Sequence, residues 1–126
     1  MSLVTPLKKA RGLGSAKDGT HHWWMQRVTA VALVPLTLWV AFSVAGMAGE
    51  SYETVVGYFH APFNVAMFVL FLFTGFYHAS LGLQVVIEDY IHHEGLKIGA
   101  LMGMKFAIAL TGFTSIFAVL RAAFGS

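Results

Sequence analysis

Three long apolar stretches, at about 28–48, 61–87 and 99–124, leave this chain little choice of fold. Each has the roughly 20 residues of helix needed to cross a hydrocarbon core about 30 Å thick. Inside lipid every backbone N–H and C=O must be satisfied within the segment or a closed barrel, so stretches of this length read as helices. Composition agrees. Only 11% of the 126 residues are charged and 57% are hydrophobic, whereas a soluble domain carries roughly a quarter charged residues. A chain this short cannot hide the excess in a larger core. The expectation is an all-α membrane protein: one domain over residues 1–126 with three transmembrane helices.

The flanks set the orientation. Residues 1–22 are polar and hold Lys8, Lys9, Arg11 and Lys17, followed by Arg27 at the mouth of the first stretch. A cleaved signal peptide is not expected, because the apolar run begins only near Val28 and has full membrane length. Five of the eight basic residues precede Val28, residues 49–60 have none, and the polar segment Glu88–Lys97 has Lys97. The positive-inside rule then puts the N-terminus and the second loop in the cytoplasm, and the C-terminus on the periplasmic side. Residues 49–60 read as a short loop. Pro35 lies early in the first span, where a kink is tolerable. Lys105 and Arg121 read as lying near the ends of the third span, with their stems snorkelling to the headgroups.

Few residues can carry chemistry. His78 stands ten residues before Glu88, roughly 15 Å below the surface end of its helix, near mid-bilayer. An ionisable side chain at that depth is costly and marks function by default. A neutral imidazole is a good axial ligand for haem iron; the same ring bonded to a neighbouring carbonyl is the plainer reading. Gly75, Ala79 and Gly82 share a face that His78 borders, suiting either a flat macrocycle or close helix packing. Glu88-Asp89-Tyr90 lies at the membrane surface, where Tyr90 is an interface anchor or a donor to an amphiphilic ligand's carbonyl. In His21-His22-Trp23-Trp24-Met25-Gln26-Arg27 the tryptophans suit the headgroup belt, and Arg27 either snorkels or pairs with a buried anion through its guanidinium fork. His92-His93-Glu94 converges poorly for a metal. With no cysteine there is no disulfide or thiolate site, and no nucleotide-binding or hydrolase motif occurs.

Two segments, Gly-Thr-His-His-Trp-Trp-Met-Gln-Arg-Val-Thr-Ala at 19–30 and His-Ala-Ser-Leu-Gly-Leu-Gln-Val-Val-Ile-Glu-Asp-Tyr at 78–90, resemble the hydrophobic membrane anchors of succinate dehydrogenase, the bacterial respiratory complex II. The three-helix layout and the cytoplasmic N-terminus resemble them too. The resemblance implies a heteromeric helix bundle in the bacterial inner membrane. It implies that His78 ligates haem b, that Arg27 and His21 stand near the haem propionates, and that Tyr90 contacts ubiquinone with Asp89 supporting that site. The implied partners are a second, different anchor chain, supplying the other haem ligand, and iron–sulfur and flavoprotein subunits on the cytoplasmic face. Membrane lipid is a further partner and nucleic acid is not. The cofactors would carry the redox chemistry, with no catalytic residue on this chain.

Three rivals stay open at this level. One is the anchor of a fumarate reductase, which runs in the reverse direction. Another is a cofactor-free structural subunit of a different respiratory complex. A small transporter is disfavoured by three spans without paired buried charges.

Overall fold

The computed structural model describes residues 15–125 as four helices: α1 (Ser15–Met47), α2 (Tyr52–Tyr58), α3 (Pro62–Tyr90) and α4 (Glu94–Phe124), with no strand among the described residues. α1, α3 and α4 are each long and apolar enough to cross a membrane. This is the architecture expected, a multi-pass membrane protein with three spanning helices.

The helices outrun the apolar stretches. α1 has 33 residues and α4 has 31, about 50 and 46 Å at 1.5 Å per residue. A helix needs backbone hydrogen bonds rather than apolarity, so both continue past a hydrocarbon core of about 30 Å into the headgroups. Two expected loops shrink as a result. Within 49–60, residues 52–58 form α2: Ser51 caps it, accepting from Thr54 N–H at 3.2 Å, and Glu53 sits in the first turn. Gly49, at φ +82°, supplies the left-handed turn that releases the chain from α1. The polar segment 88–97 is almost all helical too, leaving only residues 91–93 between α3 and α4. His93 caps α4, its Nδ1 accepting from Leu96 N–H at 3.1 Å.

α3 is the middle helix and packs antiparallel against both neighbours. Thr29 meets His78, Leu33 lies against Gly75, and Trp39 meets Phe68. On the other side Ser80 reaches Met104 Sδ at 3.9 Å, and Phe76 covers Gly112. The N-terminal end of α1 and the α3–α4 turn therefore share one end of the bundle. At the other end α2 is pinned by Tyr58, whose hydroxyl donates to Ser43 Oγ at 2.7 Å, and Asn64 Nδ2 donates to the Tyr58 carbonyl at 2.9 Å. Rings of Trp39, Tyr58, Phe59, Phe63 and Phe68 pack edge-on around that junction.

Little is buried within the chain itself. Thr29, Leu36, Phe68, Thr74, Leu81 and Gly112 are buried, whereas Phe42 is 76% exposed and Leu110 and Phe113 are each 72% exposed. Such outward apolar faces are stable against lipid or other membrane helices, where no hydrophobic penalty applies.

One expectation needs correcting. Lys105 is not near a helix end: α4 starts at Glu94, which puts Lys105 about 17 Å along it, at the level of Ser80. It lines a groove of about 300 Å³ between α3 and α4, together with Phe76, Tyr77 and Ser80. Counting from the first apolar residue, Gly99, rather than from the capped start of the helix, hid this.

Candidate functional site

The seam between α1 and α3 holds His78, the histidine that its position in an apolar run places deep in the membrane. α1 turns His22, Met25, Gln26 and Thr29 toward α3, a stripe at helical spacing. α3 answers with His78. Thr29 Oγ1 lies 2.9 Å from His78 Nδ1, and also 2.7 Å from the Met25 carbonyl and 3.1 Å from the Gln26 carbonyl. Thr29 is 6% exposed and His78 is half-buried. Among the described residues no acidic side chain hydrogen-bonds the imidazole, and its only hydrogen-bond partner is Thr29.

The small-residue face beside His78 divides in two. At Gly75 a Cβ would stand 3.9 Å from a Leu33 methyl, so this glycine serves the packing of α1 on α3. At Gly82, one turn beyond His78, a Cβ would meet nothing within 4 Å. α3 thus has open space one turn from the imidazole, room that a flat ligand would need.

The other expected residues lie at the same end of the bundle but are not gathered around His78. Arg27, two residues before Thr29, starts from the opposite side of α1 at 100° per residue. It is exposed, with its guanidinium carbon 5.3 Å from the centre of the Trp23 ring, a cation–π contact. His21 is exposed, while His22 turns toward α3, with Nε2 buried and unpaired among the described residues. Tyr90 ends α3 about 18 Å from His78, is 80% exposed, and like Asp89 has no hydrogen-bond partner among the described residues. Neither belongs to a closed site within this chain. His93, in the cluster weighed for a metal, is spent on capping α4.

The defining pattern of the succinate dehydrogenase/fumarate reductase transmembrane subunit matches residues 1–120. The chain belongs to that family. Its relatives include the succinate dehydrogenase hydrophobic membrane anchor subunit of Rickettsia bellii, 37% identical over 111 residues covering 88% of this chain and 89% of the relative. The protein of the same name from Paracoccus denitrificans is 35% identical over 126 residues, 100% of this chain and 97% of the relative. A succinate dehydrogenase membrane anchor subunit of Reclinomonas americana is 35% identical over 85 residues, 65% of this chain and 71% of the relative. Membership accounts for the three apolar helices and for their outward apolar faces, since a membrane anchor is built to sit among other chains and lipid.

Thr29 is the residue that sequence reasoning missed at this family member's candidate site. Its signal was weak but present. It follows His22 by seven residues and Gln26 by three, marking one polar stripe down an otherwise apolar helix.

Proposed function

We propose that this anchor subunit of succinate dehydrogenase holds haem b through His78, shares it with a second anchor chain, and contributes Tyr90 and Asp89 to a ubiquinone site at the cytoplasmic surface of the bacterial inner membrane. The observation that carries the reading is His78 itself: a half-buried imidazole deep in α3, engaged at Nδ1 and with no acidic partner among the described residues, one turn from the open space at Gly82. That donor chemistry fits axial ligation of haem iron. One histidine at this depth would supply one ligand, and a second protein ligand would come from the partner anchor.

When bound, the haem supplies one-electron redox chemistry. The chain's own residues do the rest. His78 would fix the haem's position and depth, Arg27 would offer positive charge and His21 a hydrogen bond to propionates at the cytoplasmic end, and Tyr90 would offer a phenol donor at the surface. The exposure of Tyr90 and Asp89 suits a pocket completed by a neighbouring chain. Peripheral iron–sulfur and flavoprotein subunits would then deliver electrons from succinate on the side of the basic N-terminus. The shared name of the relatives favours the succinate-oxidising direction over fumarate reduction.

The test is a reduced-minus-oxidised spectrum of the complex purified in mild detergent. A b-type band is expected in the wild type and its loss or alteration in His78→Leu. An unchanged spectrum and unchanged paramagnetic signal in His78→Leu overturn the assignment.

A further inference from the structure

The hydroxyl of Thr29 has one hydrogen and three close neighbours. Two of them, the Met25 and Gln26 carbonyls at 2.7 and 3.1 Å, can only accept. The third, His78 Nδ1 at 2.9 Å, can donate or accept. The Met25 distance is that of a well-formed O–H···O bond, and the hydroxyl of a helical threonine normally donates to the carbonyl four residues back. If the hydrogen went to Nδ1 instead, the lone pairs of Oγ1 would face a carbonyl oxygen at 2.7 Å. The arrangement that satisfies every atom has Thr29 donating to Met25 and His78 Nδ1–H donating to Thr29 Oγ1. This assigns the tautomer from the hydrogen-bond network.

We infer that Thr29 is a positioning residue for His78, holding the imidazole in the Nδ1–H tautomer so that the lone pair of Nε2 is left for the iron. The inference rests on the haem-ligand reading of His78 and adds a role for a residue on a different helix. Histidines that bind metals characteristically donate their other ring N–H to an acceptor, which fixes the ring and makes it more basic. Here the acceptor is itself polarised by its bond to the Met25 carbonyl, which strengthens the chain of bonds. A more basic imidazole favours ferric over ferrous iron and holds the midpoint potential down. Thr29 also joins α1 to α3 at the depth of the ligand, so the ring cannot rotate without breaking a contact between helices.

The experiment uses the whole purified complex, with co-purification of the partner chains as the assembly control, and reads haem content, the low-spin paramagnetic signal and the midpoint potential. Thr29→Val keeps the shape and removes the acceptor. It is expected to raise the potential, shift the paramagnetic signal and weaken haem retention about 10–100-fold, with Thr29→Ser close to wild type. If Thr29→Val keeps the wild-type potential and signal while His78→Leu loses them, Thr29 has no positioning role and the ligand assignment stands. If His78→Leu keeps them as well, the haem reading fails and this inference with it. Should Thr29→Val not assemble, Thr29→Ser and Thr29→Ala differ only in the hydroxyl, and equal potentials for that pair overturn the inference.

Discussion

Phe76 on α3 closes over Gly112 on α4, where a Cβ would stand 3.3 Å from the ring's Cγ. Gly112 is the one buried residue described on α4, so this pair sets how near the third span comes to the second. Two effects oppose each other in Gly112→Ala. Removing a glycine from a helix interior gains about 0.5–1 kcal/mol, while the ring must move by a few tenths of an ångström. The result is expected to be near neutral. Gly112→Val adds two methyl groups that the ring cannot avoid and is expected to cost about 1–3 kcal/mol. Thermal unfolding of the detergent-solubilised complex measures both, and a Gly112→Val complex as stable as wild type would show that α4 is not seated on Phe76.

At the other end, Tyr58→Phe deletes the hydroxyl that donates to Ser43. The expected loss is about 0.5–1.5 kcal/mol, the usual worth of one hydrogen bond. Trp39→Ala is expected to cost more, because it removes the ring that meets Tyr58, Phe63 and Phe68 together. The order of the two unfolding temperatures checks this; Tyr58→Phe falling below Trp39→Ala would put the stability of this junction in the hydrogen bond rather than in the rings.

The spanning helices were legible because lipid imposes a length and a composition that 126 residues could not disguise. His78 was legible for the same reason, since an imidazole inside an apolar run stands out without any partner being known. α2 was not legible: seven residues give too few turns for a periodicity, and its cap at Ser51 looks like ordinary loop composition. Thr29 was not singled out because its role depends on which residue of another helix lies opposite. The antiparallel register of α1 on α3, set by Leu33 at Gly75 and Trp39 at Phe68, is a property of packing rather than of either segment alone. Tyr90 and Asp89 were read from a surface pattern and a family resemblance, and both side chains are exposed at the end of α3.

The antiparallel bundle turns orientation into a paired test. The N-terminal end of α1 lies with the α3–α4 turn, and five of the eight basic residues precede Val28. A reporter inserted between Glu94 and Gly95 is expected to be active only in the cytoplasm, and one fused after Ser126 only on the outer side. Activity of both on the same side would contradict three crossings, and a swapped pair would reverse the orientation.

Tyr90→Phe separates the proposed quinone role from a structural one. The phenol has no hydrogen-bond partner among the described residues and the side chain is 80% exposed, so losing the hydroxyl should leave the stability of this chain unchanged. A quinone headgroup needs donors to its carbonyl oxygens, because leaving such a group unpaired in a dry site costs roughly 1–3 kcal/mol. Negative charge grows on that oxygen as the quinone is reduced, so a donor already in place is worth more in the transition state than in the bound ground state. Tyr90 stands at the end of α3, about 18 Å from His78 along the axis, at the level where a headgroup can meet a peripheral electron donor while its isoprenoid tail stays in lipid. Quinone reduction by the Tyr90→Phe complex is expected to fall about tenfold or more, equivalent to ~1.4 kcal/mol. Succinate oxidation by a dye that bypasses quinone should be nearly unaffected, and haem content should be that of the wild type. A decline in both activities together would point to misassembly instead. If quinone reduction and inhibitor affinity both survive, Tyr90 is an interface anchor and the donor lies on a partner chain.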